Sequence, residues 1–350
     1  MNQSSEVKPK QVFPESISST HKTVLNVDQI KQWREAGFVF VHGVFPSDLV
    51  DILRSEAHRR LPAADTEDSS RVRGFGSDIV FPSDISEHNL MTLDQTLLQT
   101  VAQLLACSVD DIRLTQSDVW AKYGRDESDE DFDNSDQRMH VDYPNHTLVH
   151  PPRWDRPEAV EAIVYLDNIE DCSGPTAVVE RLGPQDPAYR WPIIDTPGVA
   201  DLDYVNDRGR AEDYFSAKRP ALTNWRKSLY EREAYVQYHV GDVLFYRHDT
   251  WHRGAPLQKG KRRIVMNLTF RRSMSEWIST LHIGWAWASY RPGKPLSHLL
   301  ANLTVDQRTV LGFPKPGSDY WNSQTLAAVE ARYGSFGMDM DPYRDSKLLK

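Results

Sequence analysis

The chain has 350 residues, enough for one large domain or two small ones with a sizeable core. Its net charge of -9 argues against nucleic acid as the main partner, because phosphate binding needs a basic face. Two cysteines are too few for a disulfide framework, and no segment has the apolar length of a membrane span. We therefore expect a protein of the reducing cytoplasm that binds neither nucleic acid nor membrane, with its oligomeric state left open.

The N-terminal third of the chain predicts a tail followed by helices. Residues 1–25 are polar, lack a periodic apolar pattern and are expected to be a disordered tail. Asn26 and Gln29 have the spacing of a capping box that opens a helix, and Gly37 is a helix stop. The periodicity that follows predicts a strand over 38–41, a helix opened by Pro46 and a helix over 92–105.

From about residue 112 the apolar period changes to two, which is typical of strands. The predicted strands cover 112–123, 161–167, 175–180, 235–240, 243–248 and 263–271. Gly241-Asp242 between two of them is a hairpin signal. This density of strands after helices predicts a β sandwich or jelly roll with helices packed on one side, within a single domain over 26–350.

Two segments between the strands look irregular. The acidic stretch 126–136 is expected to be an exposed loop. The long insertion 183–232 is aromatic, and insertions of this length are often functional. Its aromatic residues suit either the wall of a pocket or ordinary packing, and the sequence leaves both open: Tyr189, Trp191, Tyr204, Tyr214 and Trp225.

The triplet His140-Val141-Asp142 is the main chemical signal of the sequence. In a strand, residues i and i+2 point the same way, so an imidazole and a carboxylate can converge on one ion. A second histidine from a distant strand would complete a two-histidine, one-carboxylate triad, which suits iron(II) oxygen chemistry. His248 and His252 both lie near the end of a later strand and would share a face.

Two arginines, Arg262 and Arg263, lie at the start of the last predicted strand. A charged residue at the start of an apolar strand requires a buried anionic partner, which the far carboxylate of 2-oxoglutarate would supply. The two strand faces differ: Ile264 and its alternate neighbours are apolar, whereas Asn267 and Thr269 suit a polar cavity. Because Arg263 shares the polar face, it is the predicted anchor.

These features together resemble the phytanoyl-CoA dioxygenase family of iron(II)- and 2-oxoglutarate-dependent oxygenases. The matching residues span about 26–272 and are Gly37-Phe38-Val39-Phe40-Val41, His140, Asp142, Gly174-Pro175-Thr176-Ala177, His252-Arg253-Gly254 and Arg263. The resemblance implies a mainly β protein with flanking helices, whose double-stranded β-helix (jelly roll) core covers about residues 110–275. It also implies N-terminal helices packed on one sheet.

The resemblance further implies that His140, Asp142 and His252 bind iron(II), with no other catalytic residue, and that Arg263 binds 2-oxoglutarate. The family spacing to Arg263 favours His252 over His248. In this fold an early strand often adds cosubstrate contacts, and here that strand offers Gln116, Trp120 and Lys122 on one face, of which Gln116 is preferred. The implied reaction uses O2 to hydroxylate, or otherwise oxidise, a small molecule, and it releases succinate and CO2.

Two alternatives belong to other functional classes. In a non-catalytic jelly roll that binds a metabolite, His140 and Asp142 would be ordinary polar contacts. In a hydrolase, the same ligands would hold zinc, which binds such sites more tightly than iron(II) does. The zinc hydrolase has no evident use for Arg263.

Overall fold

The computed structural model describes residues 9–17, 23–71, 79–125, 135–151, 156–183, 185–189, 195–275, 292–310 and 313–345. Most of the predicted acidic loop at 126–136 lies outside these ranges, as does Trp191. Among the described residues, no helix has the length and apolar character needed to cross a bilayer.

Eleven described strands form two sheets. In chain order they are β1 Lys10–Val12, β2 Glu15–Ser16, β3 Phe38–His42, β4 Ile79–Val80, β5 Ile112–Tyr123, β6 Ala159–Tyr165, β7 Thr176–Val179, β8 Glu233–Val236, β9 Val243–Arg247, β10 His252–Gly254 and β11 Arg262–Arg272. The small sheet has the order β1-β8-β7-β10 and the large sheet the order β2-β3-β9-β6-β11-β5-β4. The predicted jelly-roll core with flanking helices is confirmed.

The described helices precede, connect and follow the strands. They are α1 Val27–Ala36, α2 Ser47–Arg60, α3 Glu67–Arg71, α4 Ser86–Thr92, α5 Gln95–Leu105, α6 Tyr143–His146, α7 Ile169–Cys172, α8 Arg208–Lys218, α9 Thr223–Glu231, α10 Pro295–Asn302, α11 Val305–Val310, α12 Ser323–Tyr333 and α13 Asp341–Asp345. The helix predicted over 92–105 is α5 alone, because the Asp94 side chain accepts from the N–H groups of Thr96 and Leu97 and so starts the helix there.

The long strand β11 shows how the large sheet separates two layers. Ile264, Met266, Leu268 and Phe270 pack into a core that also contains buried residues of α1, α2 and α5. The opposite face of the sheet packs against the small sheet, where Val265 joins residues of β3, β7 and β8. The alternation predicted for this strand is therefore observed, and it directs one face toward the helices and the other toward the space between the sheets.

The prediction of a disordered tail over 1–25 is wrong for part of that segment. Strand β1 pairs in parallel with β8, and β2 pairs in parallel with β3. Both strands are short and largely exposed, so they join the sheets through main-chain hydrogen bonds and not through a buried apolar face. A search for apolar periodicity cannot detect such strands.

The predicted hairpin at Gly241-Asp242 is also wrong. A turn does occur there, with Gly241 at φ 87°, but β8 before it belongs to the small sheet and β9 after it to the large sheet. The buried Asp242 carboxylate accepts from His239 N at 2.7 Å and lies 2.6 Å from His42 Nδ1. The turn therefore carries the chain from one sheet to the other, a choice that local turn chemistry does not reveal.

Gly37 is expected to be intolerant of any side chain. It ends α1 at φ 97°, and a Cβ there would lie 2.7 Å from Thr250 Oγ1, whose hydroxyl donates to Gly37 O. We expect Gly37→Ala to lower the free energy of unfolding by about 1–3 kcal/mol in denaturant titration. Gly209→Ala, within α8 and without a close neighbour, is the control and is expected to leave stability unchanged or raised. Equal stability of the two variants would contradict the role given to Gly37.

Candidate metal centre and active-site pocket

A cavity of about 110 Å³ lies between the two sheets. Its floor comes from the inward face of the large sheet, and its walls include β10 and residues between 137 and 142. The residues that line it are mostly polar or aromatic, and they include Gln116, Trp120, Arg138, His140, Asp142, Glu161, Tyr204, Asn206, Tyr246, His252, Arg263, Asn267 and Thr269.

His140, Asp142 and His252 meet at this cavity. Each offers one ligand atom, and these atoms lie within 4.8 Å of one another. His140 Nε2 is 3.7 Å from Asp142 Oδ1, and His252 Nε2 is 3.3 Å from Asp142 Oδ2. Two imidazoles and one carboxylate on one side of an ion leave its other positions open, which suits iron(II) oxygen chemistry.

The convergence is produced differently from the predicted strand alternation. His140 and His252 form an isolated antiparallel bridge, with N–O distances of 3.0 and 2.9 Å, which brings their rings to 4.4 Å. Asp142 is not in a strand: it has helical backbone angles and immediately precedes α6. Its position is set by its N–H, which donates to His248 O at 3.1 Å.

Main-chain carbonyls orient both imidazoles. His140 Nδ1 lies 2.9 Å from Arg138 O, and His252 Nδ1 lies 3.0 Å from Thr250 O. These contacts keep Nε2 of each ring directed into the cavity. Burial, with the neighbouring His252, lowers the pKa of His140 to about 3, so this ring is neutral and able to bind a metal. Burial also opposes protonation of His252, but the Asp142 carboxylate raises the pKa of His252 overall.

His248, the alternative to His252, lies outside the cluster. Its main-chain carbonyl accepts from Asp142 N and, at 3.0 Å, from Tyr143 N. Its buried side chain faces the ring of Tyr143, with ring centroids 6.1 Å apart. His248 therefore helps to place Asp142 through its backbone, while its imidazole points into a different part of the core.

Tyr246 is a residue of the site that the sequence analysis missed. Its hydroxyl donates to Asp142 Oδ2 at 3.0 Å, and its ring lies against His252 at 4.6 Å. Burial, reinforced by Asp142, raises the pKa of Tyr246 well above its ordinary value and keeps the hydroxyl a donor. The available signal was the alternation of β9, which places Leu244 and Tyr246 on the face opposite Phe245.

We expect Tyr246→Phe to weaken metal binding by about ten- to a hundredfold, because outer partners of metal ligands have effects of this size. The measurement is an anaerobic titration with iron(II). Tyr238→Phe is the control: it also removes a buried hydroxyl, which donates to Ser173 O at 2.9 Å, away from the cluster. An equal loss of metal affinity in both variants would rule out a specific role for Tyr246.

Arg263, which lines the cavity, and Lys122 form a buried pair of basic side chains on β11 and β5. They are directly opposite each other in the β11–β5 register, and both are almost fully buried. Arg263 Nη1 donates to Gly174 O, and Lys122 Nζ donates to Gly254 O and Ala255 O at 2.9 and 3.0 Å.

No described residue forms a hydrogen bond with Arg263 Nε. Burial lowers the pKa of Lys122 well below its ordinary value, and the adjacent Arg263 adds to this. The hydrogen-bond partners given for the two side chains are carbonyl oxygens, and an anion beside them would favour the charged form of Lys122. The pair is therefore suited to bind an anion. Arg262, on the other face of the strand, instead donates to Leu61 O and Pro62 O at the end of α2.

Gln116 also lines the cavity, but at a different level from Arg263. It is opposite Thr269 in the register, whereas Lys122 is opposite Arg263. Gln116 Nε2 donates to Asp118 Oδ1 at 2.8 Å, and Gln116 Oε1 lies 3.3 Å from Thr269 Oγ1. Its role in binding 2-oxoglutarate therefore stays a prediction, and Lys122 is the better-placed partner for Arg263.

The insertion contributes to both the cavity and the core. Tyr204 and Asn206 line the cavity, where Arg138 donates to Asn206 Oδ1 at 2.7 Å and lies over the Tyr204 ring. Trp225 instead packs edge-on against the buried Trp251. Tyr214 does not line the cavity and donates to Asp203 Oδ2 at 3.0 Å. Both interpretations of the aromatic insertion thus hold, for different residues.

Comparison with known proteins places the chain in a family. The sequence profile described as phytanoyl-CoA dioxygenase matches residues 33–265, about two thirds of the chain. A search of curated protein sequences finds no significant match.

Solved structures with similar folds include three proteins of low sequence identity. The 2-oxoglutarate-dependent epimerase SnoN from nogalamycin biosynthesis has 16% identity and a TM-score of 0.46, covering 74% of this chain and 87% of that one. EctD from S. alaskensis has 16% sequence identity and a TM-score of 0.47, and the match covers 77% of this chain and 85% of EctD. EvdO2 from Micromonospora carbonacea var. aurantiaca has 14% sequence identity and a TM-score of 0.47, and the match covers 73% of this chain and 92% of EvdO2. All three TM-scores are below 0.5.

Proposed function

Because this chain belongs to the phytanoyl-CoA dioxygenase family, whose enzymes use iron(II), 2-oxoglutarate and O2, we propose specific roles for its site residues in such a reaction. His140, Asp142 and His252 hold the iron. Arg263, assisted by Lys122, binds the far carboxylate of 2-oxoglutarate. The observation that carries this proposal is that one cavity is lined both by a compact histidine–carboxylate cluster and by a buried arginine suited to bind an anion.

The residues present fit both groups. Two imidazole nitrogens and one carboxylate are suitable donors for iron(II), and their orientation is held by carbonyl groups and by Tyr246. The buried Nε of Arg263 has no hydrogen-bond partner among the described residues, so it is available to a carboxylate that enters the cavity. Neither a zinc hydrolase nor a simple binding protein needs this arrangement.

The protein contributes binding, orientation and exclusion of water. Iron(II) with 2-oxoglutarate, when bound, supplies an oxidant derived from O2, with release of succinate and CO2. Arg263 and Lys122 orient the cosubstrate by holding the carboxylate remote from the metal. The aromatic side chains Trp120 and Tyr246 close the cavity beside these polar groups and exclude water. Hydroxylation is the proposed outcome.

We also propose that the substrate is a small molecule and that the enzyme acts in the cytoplasm. A cavity of about 110 Å³ between two sheets suits a small substrate group better than a macromolecule. Both cysteines are free, and Cys172 is buried, as is usual for a protein of a reducing compartment.

The proposed function is tested by titrating 2-oxoglutarate into the anaerobic protein with and without iron(II), using calorimetry. We expect tight binding that requires the metal, because the cosubstrate would bind both the iron and Arg263. Metal-independent binding would favour the metabolite-binding alternative. Absence of 2-oxoglutarate binding to the iron-loaded protein would favour a different chemistry at the same ligands.

A further inference from the structure

A row of four side chains crosses the cavity floor next to Asp142. In the register of the large sheet, Tyr246 is opposite Glu161, Glu161 is opposite Thr269 and Thr269 is opposite Gln116. All four line the cavity. Tyr246 donates to Asp142, so the row begins beside the metal-ligand cluster and continues away from it across β6, β11 and β5.

Glu161 is the unusual member of this row. The residue is only 4% exposed, Thr269 Oγ1 donates to its Oε2, and its Oε1 has no hydrogen-bond partner among the described residues. Asn267 occupies the next position on the same face of β11, diagonal to Glu161, and its Oδ1 also lacks such a partner. The cavity therefore contains two neighbouring, buried acceptor oxygens to which the described residues donate nothing.

The cosubstrate is unsuited to occupy this position. Thr269 is six residues beyond Arg263 on β11, a separation of about 20 Å along an extended strand. A five-carbon dicarboxylate whose far carboxylate is held by Arg263 is much shorter than that, so it does not extend to Thr269 on the same strand. The Glu161 end of the floor is thus left for the molecule that is oxidised.

The charges around the cavity indicate what that molecule carries. Glu161 accepts a hydrogen bond from Thr269, and among the described residues no lysine or arginine is hydrogen-bonded or ion-paired to its carboxyl group. Of the arginines that line the cavity, Arg138 donates to Asn206 and Pro197. Arg253 forms ion pairs with Glu233 and Asp136. Arg263 lies at the opposite end of the cavity floor from Glu161. A cation beside Glu161 would offset the cost of ionising a buried carboxyl.

We propose that Glu161 and Asn267 form the substrate subsite of this enzyme and that they bind a protonated primary amine, which places the amine-bearing end of the substrate beside the metal. This inference rests on the proposed function. An ammonium group has three N–H donors and a positive charge, so it can serve both acceptor oxygens at once. A hydroxyl has a single donor and would leave one of the two buried oxygens without a hydrogen bond.

The test uses anaerobic protein loaded with iron(II) and 2-oxoglutarate. Short linear primary amines, from ethylamine to pentylamine, are titrated at neutral pH beside the alcohols of the same chain length. We expect each amine that binds to do so about tenfold or more tightly than its alcohol, because hydrogen bonds between charged partners are about twice as strong as neutral ones. In Glu161→Gln this ratio should fall to near one, with 2-oxoglutarate affinity unchanged.

Glu231→Gln, on an exposed part of α9, is the matched control and should retain the wild-type ratio. The inference would be overturned if the wild-type protein bound amine and alcohol equally or bound neither. This wild-type measurement tests the inference even if Glu161→Gln does not fold. A preference that persists in folded Glu161→Gln would also overturn it. If 2-oxoglutarate binding depends on iron and Arg263 but the amine preference is missing, the inference alone fails. Loss of iron-dependent 2-oxoglutarate binding would instead contradict the proposed function.

Discussion

Replacement of His140, Asp142 or His252 by Ala is expected to abolish substrate-dependent succinate formation. Each residue offers one of three candidate ligand atoms within 4.8 Å of one another, so its loss would leave two donors for the proposed iron. Activity should fall by more than about a hundredfold, the upper range seen when only an outer partner of a ligand is lost. Bound iron and succinate are measured on the same samples, with circular dichroism to show that the fold is retained.

His248→Ala is the matched control for the distal ligand. It also removes a buried imidazole, but the His248 carbonyl that accepts from Asp142 N remains in the variant. Some stability should be lost because a core side chain is truncated, while iron binding should be retained at low temperature. The opposite pattern, with iron lost in His248→Ala and retained in His252→Ala, would reassign the distal ligand.

Arg263→Ala is expected to raise the 2-oxoglutarate requirement while leaving iron affinity near that of the wild type. A guanidinium can hold a carboxylate through two parallel hydrogen bonds, and losing a charge-assisted bond of roughly 1.5–3 kcal/mol weakens binding by about ten- to a hundredfold. Arg263 lines the cavity but is not among the clustered ligand atoms, so the metal should bind normally. Anaerobic calorimetry measures both affinities.

Arg262→Ala distinguishes the two faces of the strand. Arg262 donates to Leu61 O and Pro62 O at the end of α2, so its loss should lower stability with little effect on 2-oxoglutarate. A normal Arg263→Ala variant together with a weakly binding Arg262→Ala variant would mean that the cosubstrate approaches from the opposite face of β11. If neither variant binds 2-oxoglutarate more weakly, the proposed anchor is wrong.

Sequence reasoning predicted those features that depend on local chemistry and on strand alternation. The capping box at Asn26 and Gln29 and the stop at Gly37 require only neighbouring residues, and all are observed. The assignment of Arg263 to the cavity face and Arg262 to the helix face followed from period-two alternation along β11, because that strand is regular through this segment. Local rules succeed where the backbone is regular.

The errors occurred where main-chain pairing or a change of sheet decides the structure. Strands β1 and β2 have no buried face and are held by main-chain hydrogen bonds to β8 and β3. Their side chains therefore show no apolar alternation from which a strand could be predicted. The turn at Gly241-Asp242 has hairpin chemistry, but its flanking strands find partners in different sheets. Partner choice in a jelly roll depends on contacts distant in sequence, which no local pattern contains.

The sequence by itself therefore determined the residue types of the candidate metal cluster, their order along the chain and the face on which Arg263 lies. Only the tertiary structure decided how these residues meet. His140 and His252 are brought together by an isolated bridge, and Asp142 lies in a helical turn and not in a strand. Tyr246, Lys122 and Glu161 lie near these residues because of the pairing between neighbouring strands. Register joins residues about a hundred positions apart through backbone hydrogen bonds that are common to all residue types, so side-chain patterns cannot encode it alone.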